Sequence, residues 1–346
     1  MDWNQRRRSS NPLSRHYVYG AERIHAIIRE RNQSRFAPAP FHAVLLLTLL
    51  LVGACATPRE MQTLQNQPGD LPPMAQVVGV PFFAQEEYYC GPAAVAMTLA
   101  WTGLAVNQDD MVPQVYTPGR KGTLQPDVIA AARRNGRLAV PVRSLHDVLA
   151  EIAAGRPVLV FQNLALSWYP QWHYAVAIGY DLDRGEMVLH TGTYEARAMS
   201  MATFQRTWDR AGRWALVLLP PDTLPVATNE IEVLRAAAGI ERAGRIEAAE
   251  TAYATISTRW PTSFPALMGL GNTRYARKDP AGAETAFRQA IAAQPEAAAP
   301  AWNNLAYVLV ELGRKDDAIA AAQAAVSLGG TDSENYQATL KELSGP

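Results

Sequence analysis

The chain has 346 residues, 48% hydrophobic and 18% charged, a balance that excludes a disordered or fibrous protein and leaves room for two domains with extensions. Its 32 basic and 32 acidic residues cancel, but unevenly: residues 1–54 hold eight arginines against Asp2, Glu22 and Glu30, so that segment stands at +5 and the remainder at −5. A mildly acidic body excludes nucleic acid as the expected partner.

Residues 41–54 (FHAVLLLTLLLVGA) form an uncharged apolar run that follows a basic region. It is about half the length a membrane-spanning helix requires, which predicts the hydrophobic core of an export signal. The run closes on Leu51-Val52-Gly53-Ala54-Cys55, which resembles the lipobox of bacterial lipoproteins. The resemblance implies lipid on Cys55, anchorage to a membrane of the bacterial cell envelope and, with Ala56 rather than Asp next, an outer-membrane lipoprotein facing the periplasm. An uncleaved signal anchor or an ordinary cleaved signal is the alternative. The long basic stretch places the expected translation start downstream of Met1. Residues 55–76 are polar and proline-bearing, which predicts a flexible tether, so the first folded domain is expected over 77–220.

The stretch Gln85-Glu-Glu-Tyr-Tyr-Cys90-Gly91-Pro92 runs into an alanine-rich apolar segment ending at Trp101. Proline is tolerated in the first turn of a helix, so a helix is expected to start at Cys90. A cysteine there sits at the positive end of the helix dipole, which favours thiolate over thiol and predicts a lowered pKa. A cysteine in such a helix can also simply pack. The chain has only two cysteines, Cys55 and Cys90, so lipid on Cys55 leaves Cys90 without a disulfide partner; a Cys55–Cys90 disulfide is the competing arrangement.

Beyond a loop over 102–122, helices are expected over 126–135 and from the N-cap Ser144 to Ala154. Strands are expected over 138–142, 157–161, 173–180, 187–190 and 214–219, with a helix over 201–210. Mostly antiparallel strands with segregated helices make an α+β domain. A Pro-rich hinge follows over 221–228. Over 229–346, Ala249-Glu-Thr-Ala-Tyr253 recurs 34 residues later as Ala283-Glu-Thr-Ala-Phe287, and Pro261 as Pro295. That is the period of the tetratricopeptide helix pair, and a third unit carries Trp302, Leu305, Ala306, Gly313, Ala318 and Ala325. An all-α solenoid is expected, offering a concave face to a protein or peptide partner or serving only as a helical stabiliser.

Of six histidines, His16, His25 and His42 precede Cys55, and His146 lies in a helix first turn beside Asp147. His173 opens a strand, where its imidazole can exchange a proton with Cys90 during acyl transfer, and Gln85 can offer its amide to the oxyanion. Gln85-x4-Cys90-Gly91-Pro92-Ala93 followed by His173-Tyr-x-Val-x-x-Gly179-Tyr-Asp181 resembles the papain-like cysteine peptidases of the bacteriocin-leader-processing, double-glycine type over residues 80–219. The resemblance implies Cys90 as nucleophile, His173 as general base and acid, and Gln85 as oxyanion donor. In that family an Asp, usually in an Asp-Pro step on the next strand, orients the histidine; here the strand reads Met187-Val-Leu-His190-Thr191-Gly192.

His190 is the nearest polar candidate for the third role, since Asp181 and Asp183 lie roughly 25 Å along the strand from His173. Neither a cofactor nor a metal cluster is expected, and no phosphate-cradling GxxxxGK[ST] loop occurs. The expectation is an envelope cysteine peptidase acting on a peptide or protein, with a peptidoglycan amidase or endopeptidase and an inert peptide-binding scaffold as rivals.

Overall fold

The computed structural model describes residues 59–345. Cys55 and the apolar run over 41–54 lie outside the described residues, and no described helix is long and apolar enough to cross a membrane.

From Arg59 on, the segment expected to be a tether is instead part of the fold. Helix α1 (Arg59–Asn66) buries Met61 and Leu64, and strand β1 (Met74–Gln76) pairs with the far end of a central strand. The Glu60 carboxylate accepts the Leu145 N–H at 2.8 Å and the Gln205 side-chain amide at 3.1 Å, and pairs with Arg213 at 2.7 Å. Two apolar residues three apart were too short a pattern to outweigh the polar composition around them.

Helix α2 (Cys90–Trp101) is buried on all sides from Gly91 to Leu99, which is why its sequence is apolar all round rather than striped. Helix α3 (Gln108–Val115) occupies what reads as loop. Asn107 and Asp110 form a capping box at its start, and Met111 and Val115 bury its inner face, a signal that Pro113 obscured. A small ribbon of β2 (Tyr116–Thr117) and β3 (Gly122–Thr123) leads to α4 (Gln125–Arg134), β4 (Leu138–Pro141) and α5 (Leu145–Ala153). Ser144 caps α5 by accepting the Asp147 N–H at 3.0 Å, as expected.

Then come β5 (Val158–Asn163), β6 (Trp172–Asp181), β7 (Glu186–Thr191), β8 (Tyr194–Ser200), α6 (Met201–Asp209) and β9 (Ala215–Leu219). The seven-stranded sheet runs β4-β9-β5-β6-β7-β8, with β1 added to β6, and every pairing is antiparallel. Helix α2 lies against β5, β6 and β7, while α5 and α6 pack on β6 and β5 and are braced by α1. Strand β8 is an exposed edge with almost no buried residue, so it lacks the alternation that reveals a strand in sequence.

Three helix pairs follow: α7 (Glu230–Arg242) with α8 (Ile246–Arg259), α9 (Phe264–Ala276) with α10 (Pro280–Ala293), and α11 (Ala299–Glu311) with α12 (Lys315–Leu328). A terminal α13 (Ser333–Ser344) closes the array. The repeated aromatic has a geometric cause. A Cβ on Gly269 would lie 2.5 Å from the Tyr253 ring, so that ring sits where adjacent helices approach too closely for any side chain.

The segment expected to be a hinge is fastened. The fully buried carboxylate of Glu151 accepts the Val226 N–H at 2.6 Å and the Ala227 N–H at 3.4 Å, and pairs with Arg156 at 3.2 Å. Burial still pushes its pKa up against these partners. Helix α7 packs on β4, its Val233, Ala236, Ala237 and Ile240 joining the core of the sheet domain, and Glu232 pairs with Arg143 at 3.1 Å. A proline-rich composition is compatible with a linker, but neither prolines nor charge reveal that one buried carboxylate collects its N–H groups.

Candidate active site

The loop before α2, the start of β6 and the β2–β3 ribbon surround a cleft of about 1000 Å³ lined by Gln85, Cys90 and His173 among others. Cys90 is the first residue of α2, and Tyr89 before it provides no side-chain cap. The first N–H groups of the helix are therefore not consumed by capping and remain as donors at the sulfur end. Tyr88 holds a φ of 67°, strained for a tyrosine, which turns the chain sharply into the helix; Lys121 stands 5.3 Å over its ring.

Gly91 is demanded by crowding. A Cβ there would come within 2.1 Å of Thr123 Oγ1 and 2.4 Å of its Cβ. Gly91→Ala is expected to cost about 1–3 kcal/mol in chemical denaturation, as overpacked sites do, and to displace the Cys90 end of the helix.

Cys90 is a half-buried free thiol. The N–H groups of Tyr174, Gly91 and Cys90 pull its pKa down, but burial outweighs them and the thiol is raised overall. The lowering expected from the helix dipole is thus not the net outcome. Tyr174, on β6, lines the same cleft as Cys90, and α2 packs against that strand. His173, the preceding residue, is pushed down to about 4 by burial. Both charged forms are disfavoured for one reason, so each group rests neutral, as thiol and as imidazole. Gln85 is tied down by its backbone N–H to Gly192 O at 3.1 Å, and its side-chain amide donates to Tyr174 O at 3.5 Å, beside the sulfur.

The partner of the His173 ring is Thr191: Nε2 and Thr191 Oγ1 are 2.8 Å apart. His190, the residue expected in this role, is turned away. It is 3% exposed, its Nε2 lies 3.3 Å from Val80 O, its Nδ1 accepts the Ala196 N–H at 3.1 Å, and its ring packs on Phe82. Successive strand residues point to opposite faces, so a one-residue error in the third position reverses its direction. The Thr-Gly step standing where the resembled family has Asp-Pro was the signal that could have found Thr191.

Thr191→Ala is expected to lower kcat/KM about tenfold, the worth of one such hydrogen bond. His190→Ala is expected to lower stability and leave the pH profile of turnover in place. Thr191→Asp, restoring a carboxylate, should move the acid limb of that profile upward, a response that a merely structural role would not give.

Among the described residues no group of three or more His, Cys, Asp or Glu side chains could hold a metal ion. The cleft's apolar wall is Phe161, stacked on Trp172 at 5.2 Å and tilted against Tyr174 at 4.6 Å. Sequence reasoning assigned no role to these aromatics.

Residues 77–216 match the Peptidase_C39 like family, and residues 241–298 and 269–333 match the tetratricopeptide repeat. A segment similar to the Peptidase_C39 like family is thus followed by segments similar to the tetratricopeptide repeat. Among solved structures, a C39-like peptidase from Bacillus anthracis is similar at 17% identity and a TM-score of 0.38, covering 42% of this chain and 97% of that one. The type III secretion translocator chaperone SycD of Yersinia enterocolitica is similar at 15% identity and a TM-score of 0.31, over 33% of this chain and 81% of its own. The first tetratricopeptide domain of Spaghetti (RPAP3), bound to an HSP90 peptide, is similar at 14% identity and a TM-score of 0.30, over 33% and 90%. No curated protein matches the chain. The α+β architecture of the C39-like domain and the helical repeats after it are those expected from the sequence.

Proposed function

We propose that this chain is a cysteine peptidase of the bacterial envelope, anchored by lipid on Cys55, in which the tetratricopeptide array recruits a protein partner or substrate. The observation that carries this reading is the meeting of Gln85, Cys90 and His173 around one cleft. The Cys90 thiol transfers its proton to His173 as sulfur attacks the peptide carbonyl. The oxyanion is met by the Gln85 amide and the N–H groups at the start of α2. The imidazolium then gives its proton to the departing amine. A water, deprotonated by His173, releases the acyl group and restores the thiol. Thr191 holds the imidazole in one orientation.

For the array, the supporting feature is a pocket of about 190 Å³ lined by Asn272, Tyr275, Phe287, Asn304 and Tyr307, in which the Asn304 amide donates to Asn272 Oδ1 at 2.9 Å and leaves the Asn272 side-chain N–H groups for a ligand. Such a face suits the backbone of an extended peptide.

The replacement of the family's carboxylate by Thr191 favours one second reading, a cleft that binds peptides without turnover. Incubating the purified full chain with a peptide library and, separately, with peptidoglycan, and reading products by mass spectrometry, tests both. Peptide products dependent on Cys90 support the peptidase. Products from peptidoglycan alone assign an amidase, and no products from either substrate assign the binding module.

A further inference from the structure

The segment over residues 164–172 carries five large apolar side chains into solvent: Leu164, Leu166, Trp168, Tyr169 and Trp172, with Trp168 81% and Tyr169 73% exposed. Their exposure is built in. Asn163 Oδ1 accepts the N–H groups of Ala165 and Gln171 at 3.1 and 3.0 Å, and its amide donates to Leu166 O at 3.3 Å. Leu164 N–H donates to Gln171 O at 2.9 Å, and Leu166 and Tyr169 bridge across the tip. The segment is thus a fastened hairpin whose protruding end is Trp168-Tyr169, a convex apolar tip rather than a groove awaiting a helix or a strand.

The base of the hairpin and the start of α1 are tied to one short run of chain after α6. The Arg210 guanidinium donates to Asn163 O at 3.0 Å, at the base of the hairpin, and three residues on Arg213 pairs with Glu60 at 2.7 Å. Only residues 56–58 separate Cys55 from Arg59. Four residue steps, fully extended, span roughly 14 Å. Lipid on Cys55 would therefore hold the start of α1 within that reach of the bilayer, not at the end of a long leash. Trp and Tyr, with an apolar body and a polar edge, are the side chains that settle at the boundary between acyl chains and headgroups.

We propose that the occupant of the Trp168-Tyr169 hairpin is the lipid bilayer that carries the anchor. Trp172 and Gln171, at the base of the hairpin, also line the cleft. The docked domain therefore presents Cys90 to peptide segments lying at the membrane surface, such as the stems of other anchored proteins. This inference rests on the anchoring reading above.

The test reconstitutes the lipidated full-length protein into phosphatidylethanolamine–phosphatidylglycerol vesicles whose acyl chains carry bromine near the headgroup, a short-range quencher of tryptophan. Docking predicts that tryptophan emission falls on reconstitution and that Trp168→Phe removes at least half of the quenchable signal. Trp260→Phe, in the tetratricopeptide array, should leave that signal unchanged. Vesicles that float without the protein sink the anchoring reading and this inference with it. Protein that floats with its emission unquenched, or quenched equally in wild type and Trp168→Phe, overturns the docking alone. That second result would give the tip to a protein partner or a second copy.

Discussion

Cys90→Ala is expected to lower peptide hydrolysis by about 10,000-fold or more while leaving the fold in place. Removing a nucleophile leaves only what binding and the oxyanion donors contribute, and losses of that order follow when a covalent step is deleted. The fold should tolerate the change because the residue is half-buried at the first position of α2, and alanine is a good helix former. The melting midpoint should therefore stay close to that of the wild type, which separates lost chemistry from lost structure. Cys90→Ser is expected to be nearly as inactive, since a hydroxyl surrenders its proton to a neutral imidazole far less readily than a thiol does. A Cys90→Ala protein that turned over at the wild-type rate would place the nucleophile elsewhere. An inactive variant that still captured its substrate would show that the cleft and the repeats bind without the sulfur.

What the sequence made legible follows from how locally each signal is written. Cys90, Gly91 and Pro92 are adjacent, and the helix they announce begins at Cys90. The 34-residue recurrence of Ala249 and Tyr253 at Ala283 and Phe287 is a periodic constraint imposed by stacking, so it survives in composition alone. The sheet strands that bury a face were legible; β8, which buries almost nothing, was not.

The failures concern contacts between distant parts of the chain. Residues 55–76 read as tether because the docking of α1 through Glu60 depends on Leu145, Gln205 and Arg213, far away in sequence. The same holds for Glu151, which gathers the linker N–H groups from 75 residues away. At the candidate site, type and motif pointed to Cys90 and His173, which line one cleft, whereas placing the third role on His190 rather than on the adjacent residue turned on strand parity, which a single-residue offset reverses. Burial also changed the sign of the thiol's expected pKa shift, because it depends on what covers Cys90 and not on the helix it begins.

His173→Gln is expected to lower kcat/KM by about 1,000-fold or more, because in the mechanism proposed above proton transfer both from the thiol and to the leaving amine passes through this ring. The pH dependence gives the argument its second test. The competent pair holds one proton between sulfur and imidazole. Below about 4 the imidazole becomes charged and can no longer accept a proton, which sets the acid limb in the free enzyme. On the alkaline side the thiol is lost above its ordinary value of 9.0, since burial raises it. Wild-type kcat/KM should therefore hold a broad plateau between these limbs, rather than the narrow bell of a pair titrating near neutrality.

Stability follows the same sign. The imidazole is held neutral in the folded state and titrates near 6.5 when unfolded, so between the two values the unfolded chain binds more protons. The His173 contribution is fully present above about 6.5 and is lost as the pH falls toward 4. Gln does not titrate, so His173→Gln should abolish that part of the acid destabilisation together with the activity. An acid limb near 6.5 in the wild-type profile, or identical acid denaturation in the two proteins, would show that His173 is solvated and not enclosed beside Cys90.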